Sequence, residues 1–144
     1  MRDVMNNQPS APPPYQPVPH KSKWGKFIAG FGFAFSGIRH TITTQRNMRV
    51  HILIGLCAVL MGLILRISAL EFAVLFVTMI CVFTAEMFNT VFEICVDLVS
   101  PQYHPLAKIA KDVAAGAVLV SAILAVMVGL CLFGPPLWHL IFHS

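Results

Sequence analysis

Charge is what this sequence has least of. Aspartate and glutamate together number six in 144 residues, and charged side chains make up 11% of the chain. So little polar surface cannot cover a water-soluble globule, which excludes an ordinary soluble domain of this length. No C-x-x-C pair occurs among Cys57, Cys81, Cys95 and Cys131. A metal knot or disulfide framework is therefore not expected, and the four thiols read as small apolar packing residues. The amino terminus lacks a basic residue followed by a short apolar stretch, so no signal peptide is expected. No Lys or Arg follows Lys111.

What the chain has instead is apolar residue in long blocks: 57% of it is hydrophobic, and its mean hydropathy is +0.76. The fold class implied is an all-α membrane protein, because a helix satisfies its own backbone hydrogen bonds in lipid. Three transmembrane helices are expected at about 50–67, 69–98 and 113–133, the last stopped by Gly134-Pro135-Pro136, with Trp138 beyond it as an interfacial anchor. Residues 1–22 hold six of the ten prolines and no apolar period, and read as a disordered cytoplasmic tail. From about 24 to 45, Trp24, Phe27, Phe31, Phe35, Ile38 and Ile42 recur at helical spacing among Lys26, Arg39 and His40. That pattern predicts an amphipathic interfacial helix leading into the domain of residues 23–144. Seven of the ten Lys/Arg lie before residue 50, and Lys108 and Lys111 precede the third span. The positive-inside bias then places the amino terminus and the loop 99–112 on the cytoplasmic side of the cell inner membrane. Anionic headgroups explain the same basic residues better than nucleic acid does.

Glu86, Asn89, Glu93 and Asp97 follow one another at intervals of three, four and four residues, which puts them on one helix face. An ionisable residue within a span costs about 2.5–3.5 kcal/mol even on insertion scales, so three on one face imply a purpose. Interhelical hydrogen bonding is the plainer alternative. Paired carboxylates at a water interface suit two tasks: holding a hard cation such as Mg²⁺ through oxygen, and acting as general base. Lys108, Lys111 and Asp112 form a second polar cluster able to meet a phosphate, although Asp112 is equally readable as a helix N-cap. A third cluster, from Gln45 to His51, leads into the first span. All three fall at the cytoplasmic edge, so they can converge.

The run Ala85-Glu86-Met87-Phe88-Asn89-Thr90-Val91-Phe92-Glu93 resembles the E-x-x-N-[ST]-x-x-E signature of the prokaryotic diacylglycerol kinase and undecaprenol kinase family. The likeness continues through Val96-Asp97, Tyr103-His104-Pro105-Leu106-Ala107-Lys108 and Ala110-Lys111-Asp112-Val113-Ala114-Ala115-Gly116, and covers about residues 26–136. The resemblance implies a homotrimer of three-span protomers with a surface helix, transferring the ATP γ-phosphate to a lipid alcohol with Mg²⁺. It implies Glu86 as general base, with Asn89 positioning the reacting groups, and Glu93 and Gln45 as metal ligands. It places Lys26, Phe33, Glu93, Gln102, Tyr103, His104, Lys111 and Asp112 near ATP, and Asp97 at the periphery. Lys26 and Phe33 stand where the family usually has Arg and Tyr. At Gln45 the family commonly has Glu, in a T-E-R-N-F-like motif that here reads Thr44-Gln45-Arg46-Asn47-Met48. A Gln carbonyl can coordinate Mg²⁺ but lacks the charge.

There is no G-x-x-x-x-G-K-[ST] loop and no D-F-G, so the soluble kinase designs are absent. Phosphoryl transfer needs positioning, charge neutralisation and a base, which this set can supply. Two other readings stand beside it: an oligomeric ion or proton pathway through Glu86 and Glu93, and a family member weakened at Gln45. Asn89-Thr90, His104-Pro105-Leu106-Ala107 and Ala115-Gly116 look more like the undecaprenol branch than the diacylglycerol branch.

Overall fold

The computed structural model describes residues 22–142, so the expected proline-rich tail lies outside the described residues except for Ser22. Four α-helices follow in order: α1 (Lys23–Thr44), α2 (Arg46–Leu65), α3 (Ala69–Val99) and α4 (Pro105–Phe142). No strand occurs among the described residues, and the all-α expectation holds. The chain divides into two compact units within α1, after Phe33. In the amino-terminal unit, Trp24 and Phe33 are each 76% exposed, and Phe27 packs edge-on against both Trp24 and Phe31.

In the larger unit, α2, α3 and α4 run up, down and up, with α3 lying along α4 and α2 against both. Each of the three is long and apolar enough to cross a membrane. At about 1.5 Å rise per residue α2 is about 30 Å long, the thickness of a bilayer's hydrocarbon layer, and α3 and α4 exceed it. Large apolar side chains face outward on all three, as Leu53, Ile80 and Leu130 do. Among the described residues one small apolar core cluster is sealed inside the bundle, Leu75 with Leu132 and Phe133, near the α2–α3 turn. The opposite end of the bundle is therefore where polar groups can gather.

That turn is three residues long and tightly specified. Arg66 takes the left-handed conformation (φ 53°, ψ 45°), and Ile67 N–H reaches back to the Gly62 carbonyl at 3.1 Å, closing α2. Ser68 and Glu71 then form a reciprocal capping box. Ser68 Oγ accepts from the Glu71 N–H (3.3 Å), and Glu71 Oε2 accepts from the Ser68 N–H (2.6 Å).

Several expected boundaries are corrected. The first span starts at Arg46 rather than about residue 50, because Gln45 alone, extended at φ −91° and ψ 118°, separates α1 from α2. The third begins at Pro105 rather than residue 113, so the expected loop 99–112 shrinks to residues 100–104. Pro105 presets the helical φ at the first position, and His104 Nδ1 accepts from the Leu106 N–H at 3.2 Å. Asp112 consequently lies two turns inside α4 and caps nothing. Gly134-Pro135-Pro136 does not stop the helix, which runs on to Phe142 and carries Trp138 within it. The two prolines withhold only two donors, and in an apolar medium a helix containing them leaves fewer backbone groups unpaired than a broken chain would. The cysteines, expected to be small packing residues, lie on exposed faces rather than in packed interiors.

Gly62 marks the closest approach of α2 to the turn. A Cβ built there would stand 2.9 Å from Ile67 Cδ1 and 3.1 Å from the Phe72 ring. Gly62→Leu is therefore expected to destabilise the bundle by about 1–3 kcal/mol, read as a lowered melting temperature in detergent.

Candidate active site

The polar stripe of α3 is buried at its upper end and exposed at its lower one. Glu86 is 0% exposed, Asn89 6% and Thr90 3%, whereas Asp97 lies in the open. Thr90 turns its hydroxyl back to the Glu86 carbonyl at 2.9 Å, which satisfies the threonine inside the helix. Asn89 Nδ2 donates to Glu93 Oε1 at 3.0 Å, one turn along the same face. Gln45, from the single-residue break before α2, donates Nε2 to Glu93 Oε2 at 3.2 Å. Both oxygens of Glu93 are thus held by amide groups, one from its own helix and one from 48 residues away in the chain.

Above this clamp the arrangement changes. Glu86 Oε1 and Oε2 and Asn89 Oδ1 are buried and accept no hydrogen bond. Three orphaned acceptors are costly: each loses solvation without compensation, on the order of 1–3 kcal/mol per group and more where charged. They border a cavity of about 290 Å³ whose other walls are Asn47 and His51 of α2 and Ala115, Val118 and Ala122 of α4. The two alanines leave the space that larger residues would fill. A hydroxyl or a cation entering this cavity would find the unpaired acceptor oxygens of Glu86 and Asn89.

The donor set is oxygen throughout: the Glu86 and Glu93 carboxylates and the Asn89 amide oxygen. Among the described residues no group of three or more His, Cys, Asp or Glu converges on one point. That pattern fits a hard cation held by one or two carboxylates and completed by substrate oxygens, rather than a closed protein cage. Gln45 currently offers its N–H₂ to Glu93; a half-turn of the amide would offer its carbonyl instead.

One turn beyond Glu93 lies a second cavity, of about 390 Å³, between the end of α3 and the start of α4. Gln102, Tyr103, His104, Lys111 and Asp112 all line it, so these five expected residues do come together. They are not free of one another. Lys111 Nζ is 2.6 Å from Asp97 Oδ1, and Lys108 pairs with Asp112 one turn along α4. Asp97, expected at the periphery, lies in the open and pairs with Lys111 across from α3 to α4. Lys26 and Phe33 belong to the amino-terminal unit and are exposed there.

Two wall residues, Asn47 and His51, come from the Gln45–His51 cluster expected to converge with the α3 stripe, although neither was given a role of its own. The signal was present, since they stand four apart on α2 and share a face just as the α3 stripe does. The Asp97–Lys111 pair had no such signal, because its partners lie 14 residues apart on different helices.

A family model described as prokaryotic diacylglycerol kinase matches residues 32–133. A protein of Synechocystis sp. named diacylglycerol kinase is 41% identical over 149 residues, covering 93% of this chain and 85% of that protein. One of Bacillus subtilis named undecaprenol kinase is 36% identical over 118 residues, covering 82% and 96%. A diacylglycerol kinase of Escherichia coli is 28% identical over 102 residues, covering 71% and 84%.

Asp97→Ala leaves Lys111 unpaired without opening the interior. Because the Asp97 side chain is 63% exposed, the loss in thermal stability is expected to stay below about 1 kcal/mol, measured by melting in detergent at low and high salt.

Proposed function

The chain belongs to the prokaryotic diacylglycerol kinase family and is a membrane lipid kinase; we propose that it transfers the γ-phosphoryl group of ATP, with Mg²⁺, to the hydroxyl of a membrane lipid alcohol, undecaprenol in preference to diacylglycerol. The observation that carries this reading is Glu86: a fully buried carboxylate with two unused acceptor oxygens, facing a cavity one side of the Glu93 clamp. On the other side of that clamp lies the lysine-bearing cavity. From Glu86 to Asp97 is eleven residues of α3, about 16 Å along its axis. A triphosphate laid along that face would have the lysines at one end and the reacting hydroxyl at the other.

In this reading Glu86 accepts the proton of the lipid hydroxyl as its oxygen attacks the γ-phosphorus. A new P–O bond forms to the lipid, the bond to the bridging oxygen of ADP breaks, and Asn89 holds the two sides in register. Lys111, oriented by Asp97, presents its remaining N–H donors to the phosphates beside Gln102, Tyr103, His104 and Asp112. Mg²⁺ held by Glu93 and the turned carbonyl of Gln45 would neutralise charge on the β- and γ-phosphates. The basic residues of α1 and of the start of α4 support a cytoplasmic location for the site and the amino terminus in the inner membrane, where ATP is available. The outward apolar faces of the three long helices support embedding in lipid, and a homotrimer is what the family resemblance implies. The ion or proton pathway has no support from the family to which the chain belongs. The two relatives named for different lipids leave preference to the motif features already noted, which favour undecaprenol.

Transfer of labelled phosphate from ATP to undecaprenol and diacylglycerol in competition tests the reading. Product is expected with undecaprenol in excess, and Glu86→Gln should lower the rate by about 10²–10⁴-fold. Label in neither lipid would sink the proposal. A second expectation concerns Gln45. Gln45→Glu sets a carboxylate against Glu93, so without divalent cation the protein should melt earlier. With Mg²⁺ its half-saturating concentration should fall several-fold, as a second charged ligand is added.

A further inference from the structure

Glu86 is fully buried, and a base in that position must lose its proton again before it can act a second time. Among the described residues that border its cavity, Glu86 and His51 are the two that titrate. They come from α3 and α2 and share one space, which α4 closes with Ala115, Val118 and Ala122, none able to take a proton. His51 and Glu93 are the two titratable groups that act electrostatically on Glu86. Glu93 is badly placed to receive a proton, because Asn89 and Gln45 each donate to one of its oxygens. Imidazole is the side chain that can both take up and release a proton near neutral pH. His51 is half-buried, five residues or about 8 Å inside α2, and Asn47 and Arg49 nearer the helix start lie in the open. It spans the interval between an enclosed carboxylate and the polar end of the bundle.

We propose that His51 receives from Glu86 the proton that each phosphoryl transfer deposits there, and releases it toward the polar end of α2. The inference rests on the kinase reading and adds to it how the base is reset. The alcohol O–H bond breaks as its oxygen bonds to the γ-phosphorus, and the proton passes to a Glu86 oxygen. That new O–H bond breaks in turn as an N–H bond forms on the imidazole ring. The imidazolium then gives the proton to water. One proton leaves for each phosphoryl group transferred, and no further reactant is consumed. Glu86 accepts no hydrogen bond from the ring, so rotation of the ring or one bridging water closes the step, and a cavity of about 290 Å³ has room for either.

Resetting the base separates the first turnover from those that follow. Rapid quench of the protein in detergent, with labelled ATP and a lipid alcohol, reads both. His51→Gln should complete its first turnover within about twofold of wild type and then run about ten- to a hundredfold slower. Glu86→Gln should be slow from the first turnover onward. Glutamine keeps bulk and hydrogen-bonding capacity but cannot carry the proton. In His51→Ala, imidazole should raise the steady-state rate by about fivefold or more. Pyrazole, a ring of the same size whose nitrogen is too weak a base to be protonated at neutral pH, should not. Each variant is verified by melting in detergent. The proposal is overturned by a His51→Gln steady state equal to wild type, by equal slowing of its first turnover, or by imidazole and pyrazole acting alike.

A second readout does not need turnover. In protein carrying ¹⁵N-labelled histidine, the ring signal that disappears in His51→Gln belongs to His51. Its titration midpoint should move by about half a pH unit or more between wild type and Glu86→Gln, as expected of two groups that exchange a proton across one cavity. A midpoint that ignores Glu86 overturns the relay even if phosphate is transferred. A coupled midpoint without phosphate transfer to any alcohol upholds the exchange between Glu86 and His51 and overturns the kinase reading.

Discussion

An unpaired polar group in an apolar medium is the constraint on which this structure rests. It makes every described segment longer than a few residues a helix, since only a helix closes its backbone bonds within itself. It explains why α4 carries Pro135 and Pro136 through rather than ending at them. It also explains the turn between α2 and α3, where Arg66 accepts a left-handed conformation and Ser68 and Glu71 satisfy each other's backbone amides. Against so consistent a background, the three orphaned oxygens of Glu86 and Asn89 stand out as buried acceptors without a partner.

The site is assembled from one helix face read at different depths. At Glu86 burial is complete and no donor is supplied. At Glu93 two amides supply one donor for each carboxylate oxygen. At Asp97 the face has reached the open end of the bundle and meets a lysine from α4. Three carboxylates of similar intrinsic chemistry thus acquire separate surroundings: one buried without a donor, one held by two amides, one paired with a lysine in the open. The replacement of the usual Glu by Gln at position 45 fits this graded environment. A neutral amide can hold Glu93 when no cation is present, where a carboxylate would repel it.

Much of this was legible in advance, and for a physical reason. Helical periodicity and long apolar blocks are local properties, so the all-α class, the three spans and the shared face of Glu86, Asn89 and Glu93 could be read directly. Boundaries were less legible, because they depend on competition between local signals. The prolines at 135 and 136 argued for a stop and lost to the cost of opening a backbone in apolar surroundings. His104-Pro105 began α4 two turns before the apolar run that drew the eye. The Asp97–Lys111 pair was not legible, because its lysine comes from another helix.

By itself the sequence determined the medium, the helices and the chemistry available, since charge content, apolar run length and spacing act along the chain. Tertiary structure decided which of those groups touch. It brought Gln45 to Glu93 and Lys111 to Asp97, and left Glu86 without a donor. Such contacts depend on how three helices pack in space, where small residues such as Gly55, Gly62 and Ala122 set distances that no spacing along one helix contains.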